Sequence, residues 1–433
     1  MNRLNIKIAP VLFLAVLIGI SCKKNYQDPS RATQDKVFSS PKGLTGVAVG
    51  LQRVYTLGRA SSLYNKLVSD AFVTYQFNIL NQGNTSEYQL YLGAGSVDGT
   101  NTIIAGLWTS SNKILYDAEQ VLSNVDKVVS DKTYASGLIG YTTVLKALAL
   151  GDLAMFWEKV PSGIGTQVSF SDRADGYNRA IAAIDKALQA ISANPMSAAF
   201  LSNIPAGIDI VNTLNALKAR YSLYVAKYAD ALAAANAVDL SKKSTFNFDL
   251  QNLNPIFETI TSTNNVAAPL DSTMGLFAGL QPDVNDKRFP FYISTYPTLP
   301  RLRVNGFGAA TTTAFPIYLP GEMTLIKAEA YARMTPPDLV NALIELNKII
   351  TKKPANDPFG VGADLPPLVG PLTQAQLLTE IYRQRSIELY MSGLRLEDTR
   401  RFARPNAEKK RNFFPYPFRE RDNNPNTPPD PTF

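Results

Sequence analysis

Two stretches of the chain, residues 217–238 and 325–349, repeat one pattern of small and apolar residues. The matched residues are Lys218 with Lys327, Ala219 with Ala328, Ala231 with Ala342, Leu232 with Leu343 and Asn236 with Asn347. Small residues at fixed positions let two antiparallel helices pack closely, and each pair leaves an apolar face that only a neighbouring pair can bury. The pattern therefore predicts a stack of tetratricopeptide-like helix pairs, with chance similarity between alanine-rich helices as the alternative.

Much of the remaining chain shows the same period, with apolar residues three or four positions apart. Helices are predicted over residues 101–129, 133–161, 172–191, 212–238, 321–334, 338–353 and 373–404. We expect Pro161 to end the second helix, because proline interrupts the helical hydrogen-bond ladder. Residues 70–100 and 239–319 lack this period and mix aromatic residues with Asn, Gly, Ser and Thr. Long loops and a few short strands are predicted there, where a rigid scaffold usually carries its binding surfaces.

The first 21 residues have the layout of a secretory signal peptide. Arg3 and Lys7 precede an apolar run over residues 8–20, which is shorter than the ~20 residues that span a membrane. Cleavage before Cys22 would leave the only cysteine as the first mature residue, which resembles a bacterial lipoprotein whose thiol carries palmitate or another acyl chain. An ordinary signal peptide followed by an unpaired thiol is the alternative.

These observations predict a division of the chain into three parts. Residues 1–21 form the lipoprotein signal peptide, residues 22–41 the lipidated N-terminus and tether, and residues 42–433 a single domain. Within that domain, the helical frame covers about 101–238 and 320–404. The loop-rich parts, about 70–100 and 239–319, are where we expect the ligand.

The sequence contains no histidine and a single cysteine, which excludes several classes of site. Ser-His-Asp and Cys-His catalysis, His-ligated metals, thiolate zinc and disulfide frameworks all need residues that are absent. The formal charge of +7 is small for 433 residues, and no basic block is interleaved with aromatics, so nucleic acid is not expected as a partner. We predict no catalytic residue, no metal site and no cofactor. Trp108 and Trp157 are predicted to pack in the core.

Several stretches, in this order, resemble the SusD/RagB family of outer-membrane lipoproteins of the Bacteroidetes. They are VLKALALGDLAMFWEKVP (144–161), ALKARYSLYVAKYADALAAA (216–235), NDKRF (285–289), LPGEMTLIKAEAYAR (319–333), IYRQRSIELYMSGLRLEDTRR (381–401) and FPYPFRERDNNPN. The resemblance implies a mainly α, SusD-like fold, in which tetratricopeptide-like helix pairs form a right-handed scaffold with long irregular loops and a few short strands.

The same resemblance implies a function. Family members sit at the cell surface, capture oligosaccharides or in some cases peptides, and pass them to a TonB-dependent (SusC-like) outer-membrane transporter. Lys23 and Lys24 follow the lipidated position where surface-exposed members often carry acids, so attachment facing the periplasm is the alternative. Two other functions are the alternatives: a helical-repeat scaffold with only protein partners, and a hydrolase with convergent carboxylates.

The chain departs from the family signature at Gln384, Ser392 and Leu396. The charges that remain include Arg385 with Glu388 and Arg395 with Asp398, each pair three residues apart. Because residues at that spacing are neighbours on a helix surface, we predict two structural ion pairs. These charges are predicted to lock the last helix onto the frame and not to perform catalysis.

A sugar site needs a flat aromatic platform surrounded by amide, carboxylate or guanidinium groups. Tyrosines in the loop-rich parts fit that requirement best, although each could instead pack its loop against the core. The family places its ligand residues on variable loops, so no motif transfers them to this chain. The predicted ligand-binding residues are Tyr75, Tyr88, Tyr91, Tyr292 and Tyr296.

Overall fold

The computed structural model describes residues 37–296 and 299–433. The predicted signal peptide, Cys22 and most of the predicted tether lie outside the described residues. The described helices are α1 (Pro41–Thr56), α2 (Ser62–Val73), α3 (Thr85–Leu92), α4 (Thr102–Val128), α5 (Lys132–Phe156), α6 (Arg173–Ala193), α7 (Ala198–Leu201), α8 (Ile210–Tyr224), α9 (Tyr228–Asn236), α10 (Arg288–Tyr292), α11 (Pro320–Arg333), α12 (Leu339–Ile350), α13 (Gln374–Glu388), α14 (Arg395–Arg401) and α15 (Phe418–Asn423). The mainly α fold is therefore confirmed.

The strands are short and form antiparallel pairs. They are β1 (Phe77–Ile79) with β5 (Ala267–Pro269), β2 (Lys159–Pro161) with β3 (Phe170–Asp172), β4 (Thr245–Phe246) with β8 (Phe315–Pro316), and β6 (Ile293–Thr295) with β7 (Leu302–Val304). The first pair joins the two loop-rich parts, since Asn78 lies opposite Ala268. These parts therefore meet on one side of the helical frame.

The central helix of the first half is α5, which contacts α1, α4, α6 and α8. Asp131 begins it by accepting hydrogen bonds from the backbone N–H groups of Thr133 and Tyr134. Among the described helices, α5 alone is long and apolar enough to cross a membrane, but 89% of its apolar window is buried within the protein. It ends at Phe156 and not at Pro161, because Trp157 is extended and the chain continues into the β2–β3 hairpin.

The two tryptophans lie in the core, as predicted. Trp157 is fully buried and donates its indole N–H to the carbonyl of Pro415 at 3.0 Å. Trp108 packs edge-on against it, with ring centroids 4.9 Å apart. Because Pro415 belongs to the C-terminal tail, this contact fixes the tail across the first helices of the frame.

The repeated sequence pattern corresponds to two helix pairs, α8 with α9 and α11 with α12. Ala219 and Ala231 of the first pair, and Ala328 and Ala342 of the second, have no exposed surface. The first pair packs on the second through α9 and α11. The stack of tetratricopeptide-like pairs predicted from the sequence is therefore present.

Helix α3 lies inside residues 70–100, which the sequence predicted to be loop, so that part of the prediction is wrong. Only Glu87 and Leu90 of its eight residues are buried. A helix that rests on so few contacts needs no apolar stripe, and the sequence therefore carries no helical period to detect.

The charged residues Arg385 and Asp398 are buried and joined to each other. Arg385 Nε lies 2.9 Å from Asp398 Oδ2, across the turn that connects α13 with α14. Gly393 has a φ of +73° in that turn and lets the chain fold back. The ion pair therefore joins two helices, whereas the spacing in the sequence predicted one between Arg385 and Glu388 on a single helix.

Glu388 and Arg395 are also buried, and both differ from the predicted pairing. Glu388 lies 3.2 Å from Arg288 and 2.5 Å from Lys352, which come from other parts of the chain. Arg395 donates to the backbone carbonyls of Met274 and Ser386. The pairing predicted within one helix face is wrong, because α13 ends at Glu388 and its charges face different neighbours.

Gly151 marks a close approach between α5 and α8, and its replacement should be costly. A Cβ at this position would lie 2.2 Å from the hydroxyl oxygen of Tyr221. We expect Gly151→Ala to lower the free energy of unfolding by about 1–3 kcal/mol, measured by urea denaturation. Gly46→Ala is the matched control: a Cβ there meets nothing within 4 Å, so it should raise stability by up to about 1 kcal/mol. Equal effects of the two changes would contradict the close approach.

Candidate functional site

Three of the five predicted tyrosines lie together where the loop-rich parts meet. Tyr88 and Tyr91 are one turn apart on α3, and their rings stack with centroids 6.4 Å apart and planes inclined by 17°. Tyr75 follows α2 with a φ of +60°, a left-handed conformation that turns the chain sharply toward β1. All three side chains are half-buried, so each retains an exposed part.

Lys410 lies between the rings of Tyr75 and Tyr91. Its Nζ is 4.0 Å from the ring centroid of Tyr91 and 4.8 Å from that of Tyr75. It also donates a hydrogen bond of 2.5 Å to the carbonyl of Tyr91. Burial lowers the pKa of the Lys410 ammonium to about 8, while aromatic faces favour its charged form.

The backbone of the C-terminal segment holds Lys410 in place. Its N–H donates to the carbonyl of Val73 at 2.7 Å, and its carbonyl accepts from Ala94 at 2.8 Å. The lysine is therefore fixed between the end of α2 and the segment that follows α3. A ligand would meet an ammonium group already in position.

Phe277 extends the aromatic surface. Its ring packs edge-on against Tyr75 with centroids 5.6 Å apart, and 40% of the residue is exposed. Gly275 lets the segment that carries Phe277 lie close to the backbone of Tyr75. A Cβ at Gly275 would lie 2.1 Å from the carbonyl oxygen of Tyr75. We call the surface formed by Tyr75, Tyr88, Tyr91, Phe277 and Lys410 the tyrosine platform.

Polar groups border the platform at the start of α3. Asn84 donates to the backbone carbonyl of Asn265, and the side chain of Asn81 donates to that of Asn265 at 3.1 Å. Asn81 and Asn265 are exposed. These amides can donate to and accept from hydroxyl groups without any change of charge.

A groove of about 480 Å³ runs beside the same helix. Glu87 lines it and is buried, accepting from Arg59 Nη2 at 2.5 Å and from the hydroxyl of Tyr64 at 2.9 Å. Burial and the charge of Glu87 raise the pKa of Tyr64 well above its ordinary value. Arg59 is about half exposed and leaves part of its guanidinium to the solvent.

Tyr296 follows β6 in the β6–β7 hairpin. Arg301 and Arg303 stand over its ring, at 5.7 and 5.8 Å from the centroid. Arg301 also donates to the carbonyl of Asn264, the residue before Asn265 of the polar border. Tyr296 therefore belongs to the same loop-rich side but is not part of the tyrosine platform.

Tyr292 does not join the surface. It is 2% exposed, and its hydroxyl donates to the backbone carbonyl of Glu388 at 2.5 Å. Burial and the charge of Glu388 raise the pKa of Tyr292 well above its ordinary value. Its ring has no face for a ligand, so we correct its prediction: it is a packing residue.

The arrangement is suited to binding. Glu87 of α3 is already paired, because it accepts hydrogen bonds from Arg59 and Tyr64. In residues 37–296 and 299–433, no group of three or more Asp, Glu, Cys or His lies close enough to hold a metal ion. The platform can stack against an apolar face while the lysine and amides bind hydroxyl groups.

Sequence reasoning missed Lys410, Phe277 and Asn265. They lie far along the chain from α3, and the contact of Lys410 with Tyr91 spans 319 positions. The tail and the middle loops carry no periodicity from which such contacts could be inferred. Sequence patterns detect local structure, whereas this site depends on contacts between distant segments.

A larger groove of about 930 Å³ lies on the helical side, between α4, α5 and α6. Among the described residues that line it, Tyr116 is the single aromatic. Two of its five charged residues, Lys146 and Glu119, form an ion pair with each other. It holds none of the predicted ligand-binding residues, and its size alone does not make it the better sugar site.

Comparisons with known proteins agree with this fold. The sequence model of the SusD family matches residues 220–430. No curated protein matches the chain. The structure of a SusD superfamily protein from Bacteroides fragilis has a TM-score of 0.67 and 17% identity, and the match covers 90% of this chain and 99% of that one.

Two further structures are similar over most of their length. A putative sugar-binding protein from Bacteroides vulgatus ATCC 8482 has a TM-score of 0.68 and 16% identity, covering 91% of this chain and 98% of that one. A SusD-like carbohydrate-binding protein from Bacteroides fragilis NCTC 9343 has a TM-score of 0.62 and 12% identity, covering 85% and 87%. At such identities these structures establish the fold. The family's sequence model matches residues 220–430, so this part of the chain belongs to the SusD/RagB family, and the chain has the SusD-like fold.

Proposed function

We propose that this protein captures oligosaccharides on the tyrosine platform and passes them to a TonB-dependent, SusC-like outer-membrane transporter. The observation that carries the proposal is the contact of Lys410 with Tyr75 and Tyr91, and the stacking of Tyr88 on Tyr91. These tyrosines were singled out by residue type and loop position alone. Similar structures described as sugar-binding or carbohydrate-binding proteins support it.

The stacked rings of Tyr88 and Tyr91 offer a surface for the apolar face of a pyranose. The Lys410 ammonium can donate to a hydroxyl or ring oxygen, and the amides of Asn81 and Asn265 can pair with neighbouring hydroxyls. Because backbone hydrogen bonds already hold Lys410, binding costs little ordering of the protein. The protein thus acts as a binding protein and not as an enzyme.

We also propose a localisation, which rests on the resemblance of the N-terminus to a lipoprotein signal and of the chain to the family. An acyl group on Cys22 would anchor the protein in the outer membrane, with the domain facing the cell surface. A stable anchor takes more than one acyl chain or a second signal, because each buried CH₂ contributes about 0.8 kcal/mol. Peptide capture by the same platform is the second candidate ligand, since aromatic rings and amides also suit an extended backbone.

The ligand class can be tested with the purified full chain and a panel of oligosaccharides and peptides, using calorimetric titration. We expect saturable binding of at least one oligosaccharide and none of the peptides. Peptide binding without oligosaccharide binding would favour the second candidate. Absence of both would contradict capture of either kind.

The transporter partner can be tested by mild-detergent capture of the tagged protein from its native outer membrane, with Cys22→Ala as the control. Mass spectrometry should identify a TonB-dependent transporter with the wild type and much less with the variant. A protein that remains in the membrane without any transporter would contradict the partnership and favour a scaffold role.

The charge on Lys410 should make ligand binding depend on pH. The pKa of about 8 means that the ammonium loses its proton as pH rises from 7 to 9.5. A hydrogen bond from a charged donor is worth about 1.5–3 kcal/mol, so affinity should fall about tenfold or more over this range. Lys410→Arg keeps its charge and should remove the pH dependence, while Lys410→Met should bind weakly at every pH. A wild-type affinity that is constant from pH 7 to 9.5 would contradict a role for this ammonium.

A further inference from the structure

A second pocket, of about 170 Å³, lies away from the tyrosine platform, between the ends of α11 and α14 and the middle of α13. We call it the arginine pocket and define it by Arg333, Arg401, Arg404, Tyr382 and Phe402. Among the described residues that line it, three are arginines and none is acidic. A small cavity whose charged wall residues are all positive favours the binding of an anion.

The carboxylates that neutralise these arginines lie beneath the pocket wall. Glu329 pairs with Arg333 and Arg401, and its side chain has no exposure. Glu408 pairs with Arg404 and is 7% exposed. The arginine side chains are 9–23% exposed. Each acid is therefore covered by its arginine, and the positive groups form the outer layer.

The three guanidinium groups all donate hydrogen bonds to protein acceptors through Nε and Nη2. Arg401 and Arg404 donate to carboxylates through Nε and Nη2, and Arg333 donates to Glu329 through Nε and to the carbonyl of Arg401 through Nη2. Within the described ranges, no hydrogen bond reaches Nη1 of any of the three. For Arg401, whose side chain is only 9% exposed, this nitrogen is buried without a partner.

Aromatic rings hold the guanidinium groups in place. The Arg333 and Arg401 guanidinium carbons lie 4.7 and 5.1 Å from the ring centroid of Phe402. That of Arg404 lies 5.0 Å from the centroid of Tyr382. Groups stacked on rings and bound to carboxylates lose little freedom when they receive a ligand.

The charge balance agrees with these contacts. Arg385 lies beneath the same wall, where it pairs with Asp398 and approaches Glu329 at 4.0 Å. With it, four guanidinium groups face three carboxylates, and Nη1 of Arg385 is also buried without a partner. This excess of one positive charge, at a wall whose outer arginines are partly exposed, favours an anion in the pocket.

We propose that the arginine pocket binds a sulfate or phosphate group. The unused Nη1 donors of Arg333 and Arg404, together with the positive charge of Arg401, suit a tetrahedral oxyanion. The pocket has room for the oxyanion and for the first atoms of the molecule that carries it. This site is independent of oligosaccharide binding at the tyrosine platform, and either can fail without the other.

The test is the melting temperature of the full chain in sodium sulfate, sodium phosphate and sodium chloride at equal ionic strength. A bound oxyanion should raise the melting temperature with the logarithm of its concentration above the dissociation constant, since ligands of the folded state stabilise it by mass action. Sulfate also stabilises proteins by exclusion from their surface, but that effect does not depend on the residues of the pocket. The relative affinities of sulfate and phosphate would then identify the group.

Two variants keep the test specific. Arg404→Gln removes one donor from the rim and should lower the affinity for the oxyanion, obtained from the concentration dependence of the melting temperature, at least tenfold. Thr379 is an exposed residue of the pocket wall, and Thr379→Glu would place a carboxylate there and abolish the response without disturbing the fold. A wild-type response no larger than that to chloride, or one that persists in both variants, would overturn the proposal.

Discussion

Replacing Arg288 with methionine is expected to lower the free energy of unfolding by about 3–5 kcal/mol, because it leaves buried carboxylates without their cation. Arg288 donates through Nε and Nη2 to Asp286, at 2.9 and 2.6 Å, and through Nη1 to Glu388 at 3.2 Å. None of the three side chains has any exposed surface. Solvent therefore cannot replace the lost charge.

Most of the lost stability should come from Asp286, whose buried charge would be left without a cation. Glu388 keeps Lys352, whose Nζ lies 2.5 Å away, whereas Asp286 loses Arg288, the cation with which it forms its ion pair. Arg288→Met combined with Asp286→Asn should therefore recover part of the lost stability, because the orphaned charge is removed as well. Urea denaturation of the wild type, the single variant and the double variant measures both effects.

An exposed ion pair provides the matched control. Lys113 and Asp117 are 2.8 Å apart on α4, and the lysine side chain is 57% exposed. Lys113→Met should change stability by less than about 0.5 kcal/mol. If Arg288→Met cost no more than this control, the buried charges would not be holding the last helices to the frame.

Replacing Tyr91 with alanine is expected to weaken oligosaccharide binding by about 30-fold, which corresponds to about 2 kcal/mol for the loss of a central aromatic anchor. Tyr91 stacks with Tyr88 and contacts the ammonium of Lys410. Its removal would take away one face of the platform and would also loosen the lysine. Calorimetric titration with an oligosaccharide from the panel measures the change.

Two controls separate the ring from the rest of the residue. Tyr91→Phe keeps the ring and should bind within a few-fold of the wild type. Tyr116→Ala removes an exposed tyrosine from the groove between α4, α5 and α6 and should bind like the wild type. Loss of binding in Tyr116→Ala, with binding retained in Tyr91→Ala, would move the site to the helical groove.

The helical frame was predictable because its information is local. The repeated pairs α8–α9 and α11–α12 show their small and apolar residues at helical spacing, and those residues are buried in the structure. The start of α5 was equally predictable, since Asp131 is a residue type that caps the N-terminus of a helix. The end of α5 was not, because the β2–β3 hairpin and not Pro161 determines it.

The site was predictable only in part, for a physical reason. Residue type and loop position selected Tyr75, Tyr88 and Tyr91, and the fold brings them together. The same criteria selected Tyr292, which the core buries, and they missed Lys410, which comes from the tail. Which loop tyrosine faces solvent depends on packing between distant segments, and one sequence does not contain that information in a local pattern.

The partners of the buried charges also could not be predicted from spacing along the sequence. Arg385 and Glu388 have the spacing of a helical pair, yet Arg385 binds Asp398 and Glu388 binds Arg288. A buried charge takes the partner with the best geometry among all the elements packed around it. Spacing along one helix is therefore a reliable guide only on exposed surfaces.

The most direct test of the central claim is hydrogen–deuterium exchange of the full chain with and without a saturating oligosaccharide. The account predicts slower exchange in peptides that cover Thr85–Leu92, residues 274–279 and residues 408–413. These three segments carry Tyr88 and Tyr91, Phe277 and Lys410. Protection confined to α4, α5 and α6, with these segments unchanged, would contradict the assignment of the tyrosine platform as the sugar site.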